Sequence, residues 1–178
     1  MRVVGVDPGS LVTGWGVVEM GGGSPLHVAH GTIGSSGSHS QGSRLSRIYR
    51  ALREVLSVYK PDGISLEKVF FARNAQSALK LGQARGVALL AAAESDIAVH
   101  EYSSAEIKLA VVGYGQATKD QVQKMVGSLL HLPSQIPADA ADALAAAICH
   151  LHQRSYHERV MEALPAGAEM HQRKNVIR

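Results

Sequence analysis

The chain has 178 residues, enough for one domain with its own core, and 46% of them are hydrophobic, which excludes a disordered chain. Its formal charge of +3 permits nucleic-acid binding without requiring it. The single Cys149 excludes an internal disulfide, no apolar run reaches membrane-spanning length, and the start does not resemble a leader, so the expectation is a cytoplasmic protein with no membrane contact.

"RVVGVD" (2–7) is apolar without alternation, as expected of a central strand buried on both faces, and it ends on one acid, Asp7. "TGWGVVEM" (13–20) reads as a second strand after the short turn Pro8–Val12. "GGGSP" marks a hairpin, and "LHVAHGTIG" (26–34) alternates as a third strand. A loop covers 34–43. From Ser43 the period becomes helical: Leu45, Ile48, Leu52, Val55, Leu56 and Tyr59 share one face, and Pro61 stops the helix. "DGISLEKV" (62–69) is a fourth strand with Glu67 near its end.

A long apolar helix is expected over 75–94, then a fifth strand, "IAVHEY" (97–102), then a short helix before "GYGQ". Thr118 and Gln121 have capping-box spacing for a helix carrying Val122, Met125, Val126 and Leu129. Pro133 and Pro137 bracket a linker, and "ADAADALAAAICHLH" (138–152) is the last helix. Residues 154–178 show no clear period and are expected to form a loosely ordered tail behind one domain spanning 1–153. Hairpin-joined strands followed by alternating strands and helices predict an α/β fold with a mixed sheet.

Four carboxylates stand out by position. Asp7 and Glu67 lie at the ends of strands, and Asp139 and Asp142 are three residues apart at the start of an Ala-rich helix, so they share a face. Hard cations such as Mg²⁺ take oxygen ligands, and several acids from separate elements would build such a site. Without a cation they would repel one another and raise their pKa values. Each acid alone has a plainer reading: Asp139 or Asp142 as a helix cap, Asp7 as a turn residue before Pro8–Gly9, Glu67 as a surface acid. Their joint placement at element ends favours the metal site.

"GVDPGSLVTGWGVV", "SLEKVFFARNAQSALKLGQARGVALLAAA" and "PADAADALAAAICH" resemble the RuvC family of Holliday-junction resolvases. The resemblance runs from about residue 2 to 152. It implies an RNase H-like fold, a five-stranded mixed sheet with helices on both faces. It implies that Asp7, Glu67, Asp139 and Asp142 are the catalytic, metal-binding acids. It further implies Mg²⁺ or Mn²⁺, two ions per site, and paired nicking of opposite strands of a four-way DNA junction to give 5′-phosphate and 3′-hydroxyl ends. Lys108 and Lys119 match basic residues at the rim of the family's active site. A branch-migration helicase, the RuvA–RuvB complex, is the protein partner that the resemblance implies.

Phe70 and Phe71 are the only two Phe residues and follow Glu67 closely. Either could be core, but the family has a stacking aromatic at Phe70, and aromatics stack on unpaired bases of any sequence. Arg73, Asn74, Lys80 and Arg85 lie beside this segment and are candidate DNA contacts. Arg44, Arg47, Arg50 and Arg53 recur every three residues and are read as a solvated face. The histidines lack zinc spacing, and Cys149 is given no catalytic role. Apolar residues cover nearly the whole circumference of the helix at 75–94. A chain this short offers few partners for all of it, so a homodimer is expected, as the family also implies. The competing reading, a phosphotransferase of the actin and sugar-kinase type, also begins with a strand and a phosphate turn. It needs a second domain and has no use for the Asp139–Asp142 pair.

Overall fold

The computed structural model describes residues 1–9, 11–34, 40–68, 75–132 and 136–163. Five strands form one sheet: β1 (Arg2–Asp7), β2 (Val12–Gly21), β3 (Ser24–Gly34), β4 (Gly63–Glu67) and β5 (Val99–Tyr102). Their order is β3-β2-β1-β4-β5. β2 runs antiparallel to β1 and to β3, whereas β4 is parallel to β1 and to β5. This is the mixed sheet expected, with β1 at its centre. Val3, Val4 and Val6 are buried as a central strand requires.

The strand faces divide the core in two. Val4, Val6, Val17 and Ile64 pack against α1 (Gln41–Tyr59) and α2 (Ala75–Ala93). Val3 and Val18 pack on the other side against α3 (Ser104–Val112), α4 (Lys119–Leu129) and α5 (Ala138–Ala163). Helices therefore cover both faces of the sheet, and three of the helix starts have a local cause. Ser40 caps α1, and Ser103 with Glu106 and Thr118 with Gln121 form capping boxes for α3 and α4. Lys60, in the left-handed region at φ 44, ends α1 just before Pro61.

Three sequence expectations are corrected here. First, α1 starts at Gln41 rather than Ser43, and its buried stripe is Arg44, Ile48, Leu52, Val55 and Leu56. Arg44 lies one turn before Ile48, so it sits on the apolar stripe and is only 9% exposed, whereas Leu45 is half-buried. Arg44 therefore does not belong to a solvated face; its stem is buried and its Nη2 donates to the Gly9 carbonyl at 3.4 Å. Second, α5 runs on to Ala163, so residues 154–163 are helix and not loose tail. Arg154 and Glu158, an i,i+4 pair at 2.7 Å, support this last part. Third, β5 begins at Val99, because the chain at Asp96 (φ 52) is still closing α2, with the Ile97 amide donating to the Ala92 carbonyl.

α5 lies directly on the sheet, and two glycines make that possible. A Cβ on Gly5 would overlap the carbonyl of Ala143, and one on Gly14 would overlap the carbonyl of Asp139. The buried Ser65 hydroxyl of β4 donates to the Ala146 carbonyl at 2.7 Å. Strand and helix are thus fixed in one register along their contact.

Candidate active site

Asp7 closes β1 and pairs across the sheet with Gly14 of β2. Gly14 is the residue over which the backbone of Asp139 sits. The absent side chain at Gly14 therefore brings the start of α5 to the end of β1. Asp139 lies in the first turn of α5. The Ala141 amide donates to the Pro137 carbonyl, so the helix opens before either acid and neither is its cap residue. Asp142 follows one turn later; it is half-buried, while residues 143–151 are all buried. Glu67 closes β4, the parallel neighbour of β1. Four acids distant in sequence thus meet at one end of the sheet.

Their electrostatics report the meeting. The Asp7 carboxyl is raised from its ordinary 3.8 to about 7, first by burial, then by the charges of Asp142, Asp139 and Glu67. Lys119, the first residue of α4, acts in the opposite direction. Its Nζ contacts the Asp142 carboxylate at 2.6 Å, and that bond holds the ammonium above its usual range. Among the described residues no three Asp, Glu, His or Cys side chains are grouped closely enough to hold a metal ion as they stand. The arrangement is an acidic basin of oxygen donors with one lysine at its rim. That donor set, carrying excess negative charge in a partly buried place, fits a hard divalent cation.

The other expected site residues divide. Lys108 is half-buried on α3, and among the described residues it makes no ion pair with the acids. Lys80 is exposed near the start of α2. Phe70, Arg73 and Asn74 lie outside the described residues. Arg85 is engaged within the chain: its Nη1 donates to the Glu67 carbonyl at 2.8 Å and its Nη2 pairs with the Glu101 carboxylate. A guanidinium committed to two protein partners is a poor candidate for a phosphate contact. Sequence reading also missed Gly14. The signal was present, since Gly14 and Gly16 in "TGWG" share one strand face and leave it without side chains.

A family model described as crossover junction endodeoxyribonuclease RuvC matches residues 3–150. The chain belongs to this family. A relative from Geobacter metallireducens, called crossover junction endodeoxyribonuclease RuvC, is 52% identical over 150 residues, covering 84% of this chain and 92% of the relative. One of the same name from Pelobacter propionicus is 48% identical over 168 residues, covering 94% and 96%. Among solved structures, T. thermophilus RuvC in complex with Holliday junction substrate has a TM-score of 0.83 at 33% identity, covering 88% of this chain and 96% of that one. The yeast mitochondrial Holliday junction resolvase Ydc2 has a TM-score of 0.64 at 11% identity, which speaks for the fold alone. The RNase H-like architecture expected from sequence is therefore the one observed, and the family implies use of a divalent metal.

Proposed function

We propose that this chain is a metal-dependent endonuclease that resolves Holliday junctions by nicking opposite strands as a pair, leaving 5′-phosphate and 3′-hydroxyl ends, in DNA recombination and repair. The observation that carries the reading is Asp7. Its carboxyl is pushed up to about 7 by burial and by three acids from β4 and α5, an arrangement that costs free energy unless a cation relieves it.

Asp7, Glu67, Asp139 and Asp142 would hold the metal, Mg²⁺ or Mn²⁺, with two ions per site. When bound, such ions supply Lewis-acid stabilisation of charge on the phosphate and on the leaving oxygen. The chain's own residues do the rest. The buried strand β1 fixes Asp7 so that its carboxylate does not search for its position. The helical spacing of Asp139 and Asp142 presents two carboxylates on one side. Lys119 neutralises Asp142 and sets a positive charge at the rim, where a phosphodiester would approach. Lys108, further along the α3 side, is assigned to the DNA backbone. Phe70 would stack on an unpaired base at the junction centre, with Arg73, Asn74 and Lys80 on nearby phosphates.

The protein acts as a homodimer. Leu79, Leu89 and Leu90 of α2 are 64%, 37% and 51% exposed, an apolar face that a second copy would cover. Two-fold symmetry would set two basins on two opposed strands. Among the described residues no helix is long and apolar enough to cross a membrane. The protein is assigned to the cytoplasm, working with a RuvA–RuvB branch-migration complex. The deciding experiment is cleavage of a synthetic four-way junction with and without Mg²⁺, against linear duplex. Paired, Mg²⁺-dependent nicks in the junction alone are expected; equal cutting of duplex would overturn the assignment.

A further inference from the structure

Glu67 is half-buried at the open end of β4. The β1–β4 ladder ends at the pair Val6–Leu66, one residue short of it, and only the β5 side continues, through the pair Glu67–Tyr102. The Glu67–Lys68 peptide is held on its amide side, where Lys68 N–H donates to the Tyr102 carbonyl at 2.7 Å, but a strand-terminal residue with one ladder missing still has a backbone carbonyl in need of a partner. Arg85 supplies that partner. From the middle of α2 its Nη1 donates to the Glu67 carbonyl at 2.8 Å, while its Nη2 grips the carboxylate of Glu101 on β5. The Arg85 side chain is only 16% exposed, against 59% for Lys119 and 55% for Arg154. Arg85 is anchored at its root as well, since Ala84 and Ala88 on either side are buried in the core beneath α2.

A planar guanidinium makes this kind of two-pronged contact in a way a lysine cannot, because its donors are fixed relative to one another. One fork therefore ties three elements together at the residue whose side chain enters the acidic basin. We propose that Arg85 is a positioning residue for Glu67: by holding the peptide at the end of β4 against α2 and β5, it fixes the direction from which the Glu67 carboxylate meets the metal. It touches neither DNA nor metal. Partners that hydrogen-bond a ligand residue set metal affinity through orientation, here through the backbone of Glu67. The inference rests on the reading of Glu67 as a metal ligand.

The test uses the whole chain and the variants Arg85→Lys, Arg85→Gln, Glu101→Gln and Glu67→Gln. Three quantities are measured: Mn²⁺ binding by calorimetry without DNA, junction affinity and its salt dependence in EDTA, and the Mg²⁺ concentration for half-maximal cleavage. Arg85→Lys is expected to weaken Mn²⁺ binding about tenfold, to raise the Mg²⁺ midpoint in step, and to leave junction affinity and salt slope unchanged. Glu101→Gln, which leaves Arg85 and its charge in place, is expected to shift both metal readouts in the same direction by a smaller factor. If Arg85→Lys keeps wild-type metal binding while junction affinity falls, or if its only effect is a lower melting temperature, the positioning role is overturned. Loss of Arg85 altogether rather than its exchange for Lys would change the salt slope by about one phosphate contact only if the residue touched DNA, so a wild-type slope in Arg85→Gln supports the proposal and a slope reduced by about one overturns it. Wild-type Mn²⁺ affinity in Glu67→Gln would overturn the metal-site reading itself, and the two failures are thus told apart.

Discussion

Helices α5 and α2 read much alike in sequence and differ in what covers them. Both are rich in Ala, α2 over much of its length and α5 over residues 138–151, where each is apolar nearly all round. In α5, residues 143–151 are all buried, between the sheet on one side and α3 and α4 on the other. In α2 only Ala84, Ala88, Ala91 and Ala92 are buried, and Leu79, Leu89 and Leu90 remain exposed. An all-round apolar helix must be covered somewhere, and for α5 the chain itself does it. For α2 it does not, which is why the outer face of α2 is assigned to a second copy. The difference also separates two kinds of contribution to function. α5 carries two of the acids proposed to hold the metal and needs a rigid bed, whereas α2 offers a surface and, on the inference above, a brace through Arg85.

Several variants test this contrast, beginning with the largest effect. Asp7→Asn, at the end that α5 completes, should lower cleavage on the order of a thousandfold while junction binding in EDTA persists; a mutant that still cuts removes Asp7 from the chemistry. Leu144→Ala empties a fully buried site between α5 and the sheet and should cost about 2–5 kcal/mol in denaturant unfolding. Ser65→Ala removes the second donor to the Ala146 carbonyl, which keeps its helical bond within α5, and should cost about 0.5–1.5 kcal/mol. Leu90→Lys on α2 should change monomer stability by no more than about 0.5 kcal/mol, yet shift sedimentation-equilibrium mass from dimer to monomer. If its mass does not change while Leu144→Ala behaves as stated, the open face of α2 serves another purpose.

The acidic basin adds a pH dependence with a definite sign. The Asp7 carboxyl rises from 3.8 when unfolded to about 7 when folded. Its contribution to stability is therefore present below about pH 4 and is lost as pH rises through 7. In metal-free buffer, the melting temperature of wild type relative to Asp7→Asn should fall across that window. His150 behaves oppositely. Burial lowers its pKa from 6.5 to about 4, so its contribution is present above 6.5 and is lost as pH falls through 4. A parallel pH course for wild type and Asp7→Asn would mean that the acids do not sense one another.

The sheet, its five strands, the capping box at Thr118–Gln121 and the four acids were legible in the sequence because each rests on a local pattern or a specific motif. Asp7 and Glu67 stand at the ends of apolar runs, and a strand end is easy to read. What escaped depends on packing between distant segments. Arg44 looked like a surface charge, since a charged residue gives no sign that its stem lies on a buried stripe. The extension of α5 to Ala163 escaped because residues 154–163 are mostly exposed, so no apolar period marks them. The reach of Arg85 to Glu67 joins α2 to the end of β4, and no spacing in the sequence encodes it.

The contact of Gly5 and Gly14 with α5 has a consequence for how substitutions will be tolerated. Neither residue carries a reactive group, and a search for chemistry passes over both. Yet any side chain at either position must push α5 off the sheet and carry Asp139 and Asp142 away from Asp7. In a survey of all single replacements scored by cleavage, these two glycines should rank with the four acids, and alanine there should do nearly as much harm as tryptophan.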